Sequence, residues 1–286
     1  MTRYIGRRLL QYIPTLFLAS IALFGLIQLS GGDPARMMLG PEATEEMVQA
    51  ERIRLGLDKP APVRYLIWLS DVARLNLGHS LTNGRPVLSL IANAFPNTVR
   101  LTLAAMLFAL VTGIPLGILC ALKQNKWVDT AITAVTSLAL ALPSFWLGIL
   151  LILLFSVRLR WLPPSGAGEP GQGFVASLRY LVMPMMSIGF GSMAVFSRFV
   201  RSALIDTLAA DYVRTARAKG LAERAVIVRH ALRNALIPVV TILGMSFAGL
   251  LGGAVVTESV FAYSGMGRLV INAIMNRDFP VVQGSL

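Results

Sequence analysis

The chain holds few side chains able to make or break bonds. His79 and His230 are its two histidines, Cys120 its one cysteine, and no Gly-x-x-x-x-Gly-Lys-Ser/Thr phosphate loop is present. Serines such as Ser192 lack a histidine–carboxylate pair within plausible reach. The most distinctive chemistry is charge on a helix. A basic stretch, Asp211-Tyr212-Val213-Arg214-Thr215-Ala216-Arg217-Ala218-Lys219-Gly220, is followed by a second amphipathic run ending at Pro238. Ile205, Leu208, Tyr212 and Ala216 recur at helical spacing, as do Leu221, Ala225, Val228, Leu232 and Leu236. Gly220 falls where a helix C-cap belongs, with Arg217 and Lys219 in the preceding turn and Asp206 near the start. The spacing predicts two short helices joined by a tight glycine turn and lying at a membrane surface. Arg214, Arg217 and Lys219 would offer positive charge to an acidic rim on a soluble partner. The plainer alternative is an amphipathic helix resting on anionic lipid.

The elements that must carry this segment are apolar. The sequence is 55% hydrophobic and 14% charged, with a mean hydropathy of +0.68. That balance excludes an ordinary soluble domain and indicates a polytopic membrane protein. Five runs approach the ~20 apolar residues a spanning helix needs: Leu9–Ser30, Leu101–Leu122, Thr130–Val157, Tyr180–Phe199 and Leu236–Thr257. The first is interrupted early by Pro14 and lacks a small-residue cleavage site, so it reads as a retained span rather than a signal peptide. A lone Cys120 excludes an intramolecular disulfide and reads as a buried, inert thiol. Gly113/Gly117 and Gly249/Gly253 have the small-xxx-small spacing that lets helices approach closely. Pro115, Pro143 and Pro184 can kink their spans. Thr133, Thr136, Ser137, Ser144, Ser187, Ser192, Thr241 and Ser246 would either line a path or bond back to their own helices. Glu258, at the outer end of the fifth span, is a lone carboxylate; snorkelling or pairing with Arg268 is its plainer reading.

Charge sets the expected orientation. The net charge is +12, but Lys and Arg divide equally, 13 and 13, between the two sides of a five-span chain. Long loops do not follow the positive-inside rule. Without the Gly31–Arg100 region the balance is 13 against 5, which puts the N terminus and the 201–236 loop in the cytoplasm. The histidines then lie on opposite sides of the membrane, so they share no metal site. The distribution favours lipid headgroups and a protein partner over nucleic acid. Gly31–Asn97 becomes a large outer segment. Gly32-Asp33-Pro34 breaks the first span, a helix is expected over Pro41–Arg54, and Val63–Leu75 forms a second amphipathic stretch with Tyr65, Leu66, Trp68 and Leu69.

The Asp211–Gly220 run, with Arg229-His230-Ala231-Leu232-Arg233-Asn234-Ala235 after it, resembles the cytoplasmic coupling loop of permease subunits in bacterial binding-protein-dependent ABC importers. The match is to the peptide, nickel and glutathione type, in particular the first permease of dipeptide and oligopeptide systems. Arg214-Thr215-Ala216 stands where the general loop has Glu-Ala-Ala, Gly220 keeps its place, and Pro238 falls late. Gly32-Asp33-Pro34-Ala35, Asn76-Leu77-Gly78-His79-Ser80-Leu81 with Arg85-Pro86-Val87, Glu258-Ser259-Val260-Phe261, Gly265-Met266-Gly267-Arg268-Leu269 and Arg277-Asp278-Phe279-Pro280-Val281 carry the likeness along the whole chain. Ser264 replaces a usual proline.

The resemblance implies an all-α polytopic protein with a type I importer-like helix bundle, a cytoplasmic coupling-helix loop and a large periplasmic loop. The expected divisions are 1–30 for the N-terminal end and first span, 31–97 for the periplasmic loop and 98–286 for the permease core. A sixth span would normally follow Asp278-Phe279-Pro280; its absence here is expected to reflect a shortened chain rather than five spans. Asp211, Tyr212, Arg214, Thr215, Ala216, Arg217, Ala218, Lys219 and Gly220 would couple the bundle to ATPases. No cofactor is expected in the chain itself, ATP being bound by partner subunits. Its partners would be a second homologous permease, two ABC ATPases, an extracytoplasmic binding protein and the inner-membrane bilayer. The solute would be a di- or oligopeptide, with glutathione or nickel complexes as alternatives. An ion-coupled secondary transporter would need charged span cores and inverted repeats, and the sequence shows neither.

Overall fold

A computed structural model describes residues 2–29, 34–40, 42–54, 56–168 and 173–286. Two readings, the break at Gly32 and Asp33 and the helix start at Pro41, lie outside the described residues. The chain divides into two compact units.

The first unit comprises residues 1–93 and 269–286. Helix α1 (Thr2–Leu29) retains Pro14 and meets α4 through aromatic side chains; α2 (Pro34–Leu39) and α3 (Glu45–Arg54) lie between them in sequence. Pro60 precedes α4 (Ala61–Ala73) at the N-cap position, where a fixed φ costs nothing. Tyr65 stacks edge-on with Phe17 and Phe24 and shares a 2.8 Å hydrogen bond with the Ser20 hydroxyl. The stretches around Ser80 and Asp278 converge. The Asp278 carboxylate is 3% exposed; it accepts from Ser80 Oγ at 2.5 Å and from the Leu81 and Thr82 amides at 3.0 and 3.2 Å. Val87, Ala273, Val281 and Val282 form the apolar cluster beside this clamp.

The second unit, 94–268, is the apolar bundle. Helix α5 (Val87–Leu122) runs through Pro96 and Pro115, so the division expected at residue 97 falls within a continuous helix. Helices α6 (Trp127–Ala141) and α7 (Ser144–Leu151, continuing as a π-helical stretch to Arg158) replace the single third span. They meet at 104°. The reason is local: Leu142 is extended at φ −85°, ψ 128°, as a residue before proline must be to avoid the ring of Pro143. Helix α8 (Phe174–Leu208) is long and buried against its neighbours. It packs against α5 through glycines: a Cβ at Gly113 would lie 2.6 Å from Met193 O, and one at Gly117 2.5 Å from Ser197 O. The short helices α9 (Asp211–Ala218), α10 (Glu223–Ala225) and α11 (Leu232–Ala235) follow. Helix α12 (Ile237–Val260) is apolar and mostly uncovered, and a side chain at Gly249, Gly252 or Gly253 would meet nothing within 4 Å. Among the described residues, the Gly249/Gly253 motif thus meets no neighbour. Helix α13 (Met266–Met275) leads into α14 (Phe279–Ser285). Among the described residues α5, α8 and α12 are long and apolar enough to cross a membrane, and the bent α6–α7 pair gives a fourth crossing if counted as one span.

Candidate functional site

Helix α9 begins after a two-residue break, Ala209–Ala210, at the end of α8. Val213 and Ala216 are its buried face, and they pack with Leu204 of α8, Ala121 of α5, and Val226, Ala231 and Ala235 of the following helices. Asp211, Tyr212, Arg214, Thr215, Arg217, Ala218 and Lys219 all remain exposed. The buried stripe differs from the one read from the sequence, because Tyr212 is 43% exposed and Val213 takes the core position. A break at Ala209–Ala210 resets the register, with Ala210 extended at ψ 147°. Leu221 and Val228 are likewise exposed, whereas Val226, Ala231 and Ala235 are buried. Val226–Ala231 is a π-helical turn, which adds one residue and rotates the apolar face away from a strict 3.6-residue period.

Gly220 adopts φ +75° in open space, and its N–H donates to Arg217 O at 2.9 Å. Its requirement is conformational, a left-handed residue that terminates α9. Across this turn Arg217 donates through Nη2 and Nε to the Glu223 carboxylate at 2.7 and 3.1 Å. That hydrogen bond holds the Glu223 carboxyl below its ordinary range. Asn234 Nδ2 donates to Tyr212 Oη at 3.0 Å, a second strut between α9 and α11. Arg217 is therefore engaged within the loop. Arg214 approaches Asp211 at 3.5 Å with both side chains mostly in solvent, a pair worth little.

One feature above this loop has no counterpart in the sequence reading. Arg201 of α8 donates Nε and Nη2 to the two Asp129 oxygens at 2.8 and 2.7 Å, and the Asn125 amide donates to the same carboxylate at 3.1 Å. Asp129 is 5% exposed. Both residues fall just outside the apolar runs and 72 positions apart, so only their shared place at one end of two spans hinted at a pairing. At the other end of the bundle Glu258 is fully buried. It accepts from Thr98 Oγ1 at 2.5 Å and from the Arg268 amide at 3.1 Å. Thr98 Oγ1 in turn accepts from the Met266 amide at 2.8 Å. The expected partnership with the Arg268 side chain is replaced by its backbone, since that guanidinium donates to Ala262 O. Gly265 lies so close to the carboxylate that no side chain fits there. Glu258 thus shapes the Ala262–Arg268 turn and is buried rather than snorkelling. Ser187 Oγ donates to Ser144 O at 2.6 Å between α8 and α7; Ser137 bonds back to Thr133 O in its own helix.

Residues 113–286 match the family described as the binding-protein-dependent transport system inner membrane component, and residues 1–102 match the N-terminal family of such membrane components. The chain belongs to this family of permeases. It is 40% identical over 286 residues, all of this chain and 91% of the relative, to the glutathione transport system permease protein GsiC of Escherichia coli K12. The same figures hold for GsiC of Shigella flexneri serotype 5b. Two inward-facing structures of the MetNI methionine ABC transporter align with TM-scores of 0.53 and 0.54 at 17% identity. They cover 65% and 69% of this chain and 81% and 88% of the transporter chains. The fold is that of a type I importer permease, and the protein is a multi-pass inner-membrane subunit of an ABC importer of the peptide, nickel and glutathione type. Membership implies a second permease, ATPase subunits and a binding protein, and leaves ATP hydrolysis to the ATPases.

Proposed function

We propose that this permease moves a small peptide-like solute, with glutathione and di- or oligopeptides as the substrate class, and that Asp211–Gly220 is the lever through which its ATPases drive it. The single observation that carries the lever is the cluster joining Val213 and Ala216 to Leu204 and Ala121: a push on α9 reaches the ends of α5 and α8 directly. Asp129 and Arg201 extend the path to the bent α6–α7 pair. The exposed face of α9, including Arg214 and Lys219, meets the ATPase, while Arg217 and Glu223 brace the turn. In this reading ATP is bound by the partner subunits, and the chain needs no cofactor of its own. The N terminus and the α9–α11 segment lie in the cytoplasm, in keeping with the positive-inside count.

The domain divisions follow from this. Residues 1–30 enter the membrane, 31–97 lie outside, and 98–286 form the core with its coupling loop at 201–236. A cleft of about 910 Å³ in the first unit, bordered by Lys59, Trp68, Asp71 and Pro280, suits a docked binding protein. The open face of α12, with Gly249, Gly252 and Gly253, suits the second permease. The 40% identity to glutathione permeases over the whole chain supports glutathione as strongly as the motifs support peptides. Uptake of labelled glutathione and of labelled di- and tripeptides into proteoliposomes holding the full complex and its binding protein tests the substrate class. ATP-dependent accumulation of at least one is expected; accumulation of none would remove the substrate class.

A further inference from the structure

The end of the bundle opposite α9 carries arginines that the transport reading does not use. Arg158 ends the π-helical stretch after α7, Arg160 follows two residues later, and Arg179 is the sixth residue of α8. On α8, Arg179 and Arg198 bracket 18 uncharged residues, a rise of about 28 Å, close to the ~30 Å thickness of the hydrocarbon core. Arg179 is thereby placed at one headgroup layer while Arg198 and Arg201 mark the other. Trp161, 60% exposed, and Tyr180 stand at the same level as Arg179, where amphipathic rings concentrate.

A cleft of about 490 Å³ opens there, lined by Ser156, Arg160, Leu162, Pro163, Arg179 and Tyr180. Its composition is divided: two guanidinium groups, a phenol and a hydroxyl against aliphatic and proline walls. Arg179 Nη2 donates to Trp161 O at 2.7 Å, which fixes its head and leaves further N–H donors for a ligand. Arg160 is held at φ +55°, a left-handed conformation that is costly without glycine. No carboxylate among the described residues forms an ion pair with Arg158, Arg160 or Arg179. Paired arginines match phosphate oxygens in geometry as well as charge.

We propose that this cleft binds the phosphate of an anionic phospholipid headgroup, with Arg160 and Arg179 as its ligands, Ser156 and Tyr180 as additional donors, and the Leu162–Pro163 wall against the lipid's glycerol and upper chain. Such a lipid would hold the turn between α7 and α8 beside the bent span.

Native mass spectrometry of the full importer, released from nanodiscs of mixed phosphatidylglycerol and phosphatidylcholine, reads the site directly. Phosphatidylglycerol should be retained selectively on the wild-type complex. Retention should fall about tenfold in Arg160→Gln/Arg179→Gln, a combined loss of about 1.4 kcal/mol over the two contacts. Each single variant should fall between, and Arg74→Gln, another arginine of the outer segment, should retain lipid as the wild type does. Should the double variant assemble poorly, Arg160→Lys and Arg179→Lys keep the charge and should weaken retention by losing the paired donors. Excess inorganic phosphate distinguishes the source of the anion, and a lipid site predicts that it leaves phosphatidylglycerol in place. Equal retention by the double variant, equal retention of phosphatidylcholine, or replacement of the lipid by inorganic phosphate would each overturn the proposal.

Discussion

Asp129→Asn keeps the size of the side chain and removes its charge, which isolates the Asp129–Arg201 joint. In the native protein two guanidinium N–H groups and the Asn125 amide converge on one carboxylate. An asparagine offers one acceptor in place of two charged ones, and its amide faces the donors it should receive. Removing one partner of a fully buried pair costs about 3–5 kcal/mol, and hydrogen bonds to charged groups contribute about 1.5–3 kcal/mol. The Arg201 side chain is 32% exposed and the Asp129 side chain 7%, so water recovers part of the loss for the arginine. About 2 kcal/mol is expected, a loosening of the α6–α8 joint by roughly 30-fold. Because that joint lies between the α9 cluster and the bent span, the proposed lever predicts that ATP hydrolysis continues while solute moved per ATP falls. The assay is paired uptake and hydrolysis in proteoliposomes, with thermal unfolding of the complex as the stability control. A cycle through Arg201→Gln should show losses that fail to add, as for residues in one network. Wild-type stoichiometry and wild-type unfolding in Asp129→Asn would refute the assignment of this pair as a joint.

Ser70→Cys on α4 should react with an impermeant thiol reagent in intact cells and Ala222→Cys should not; the reverse pattern would invert the orientation. Cys120 is buried, so background labelling should be low. Gly117→Ala places a Cβ 2.5 Å from Ser197 O and 2.8 Å from the Val200 Cβ; it should destabilise the permease by about 1–3 kcal/mol, the range for overpacking, read as a lowered unfolding midpoint. Gly249→Ala meets nothing within 4 Å among the described residues and should leave that midpoint unchanged, yet reduce co-purification of the second permease if α12 is the shared face.

Much of the architecture was legible because lipid imposes it. Uncharged runs of about 20 residues had to be helices, since only helices and closed barrels satisfy backbone groups within a bilayer and barrel strands are about half that length, and α5, α8 and α12 lie over the expected spans. The third span was misjudged in shape: hydropathy registers an unbroken apolar run but not that Leu142 before Pro143 must leave the helix. Gly220 was readable as a turn because positive φ has few other solutions. The buried faces around it were not, because a π-turn at Val226–Ala231 shifts the period without any residue type announcing it. The Glu258, Asp278 and Asp129 partnerships join positions 72 to 198 apart. Each carboxylate could be noticed in the sequence, but its donors are set by tertiary packing, which periodicity does not reach.

Gly220→Pro tests the lever most directly. Proline requires φ near −65°, against the observed +75°, and it deletes the N–H that donates to Arg217 O. Helix α9 must then leave the Glu223–Ala235 helices at another angle, while α5, α8 and α12 keep their own hydrogen bonds and stay inserted. Uptake and ATP hydrolysis measured together in proteoliposomes, with co-purification of the ATPase, should show uptake reduced at least about tenfold while hydrolysis or ATPase binding is decoupled from it. Normal uptake with the ATPase still bound would contradict the account.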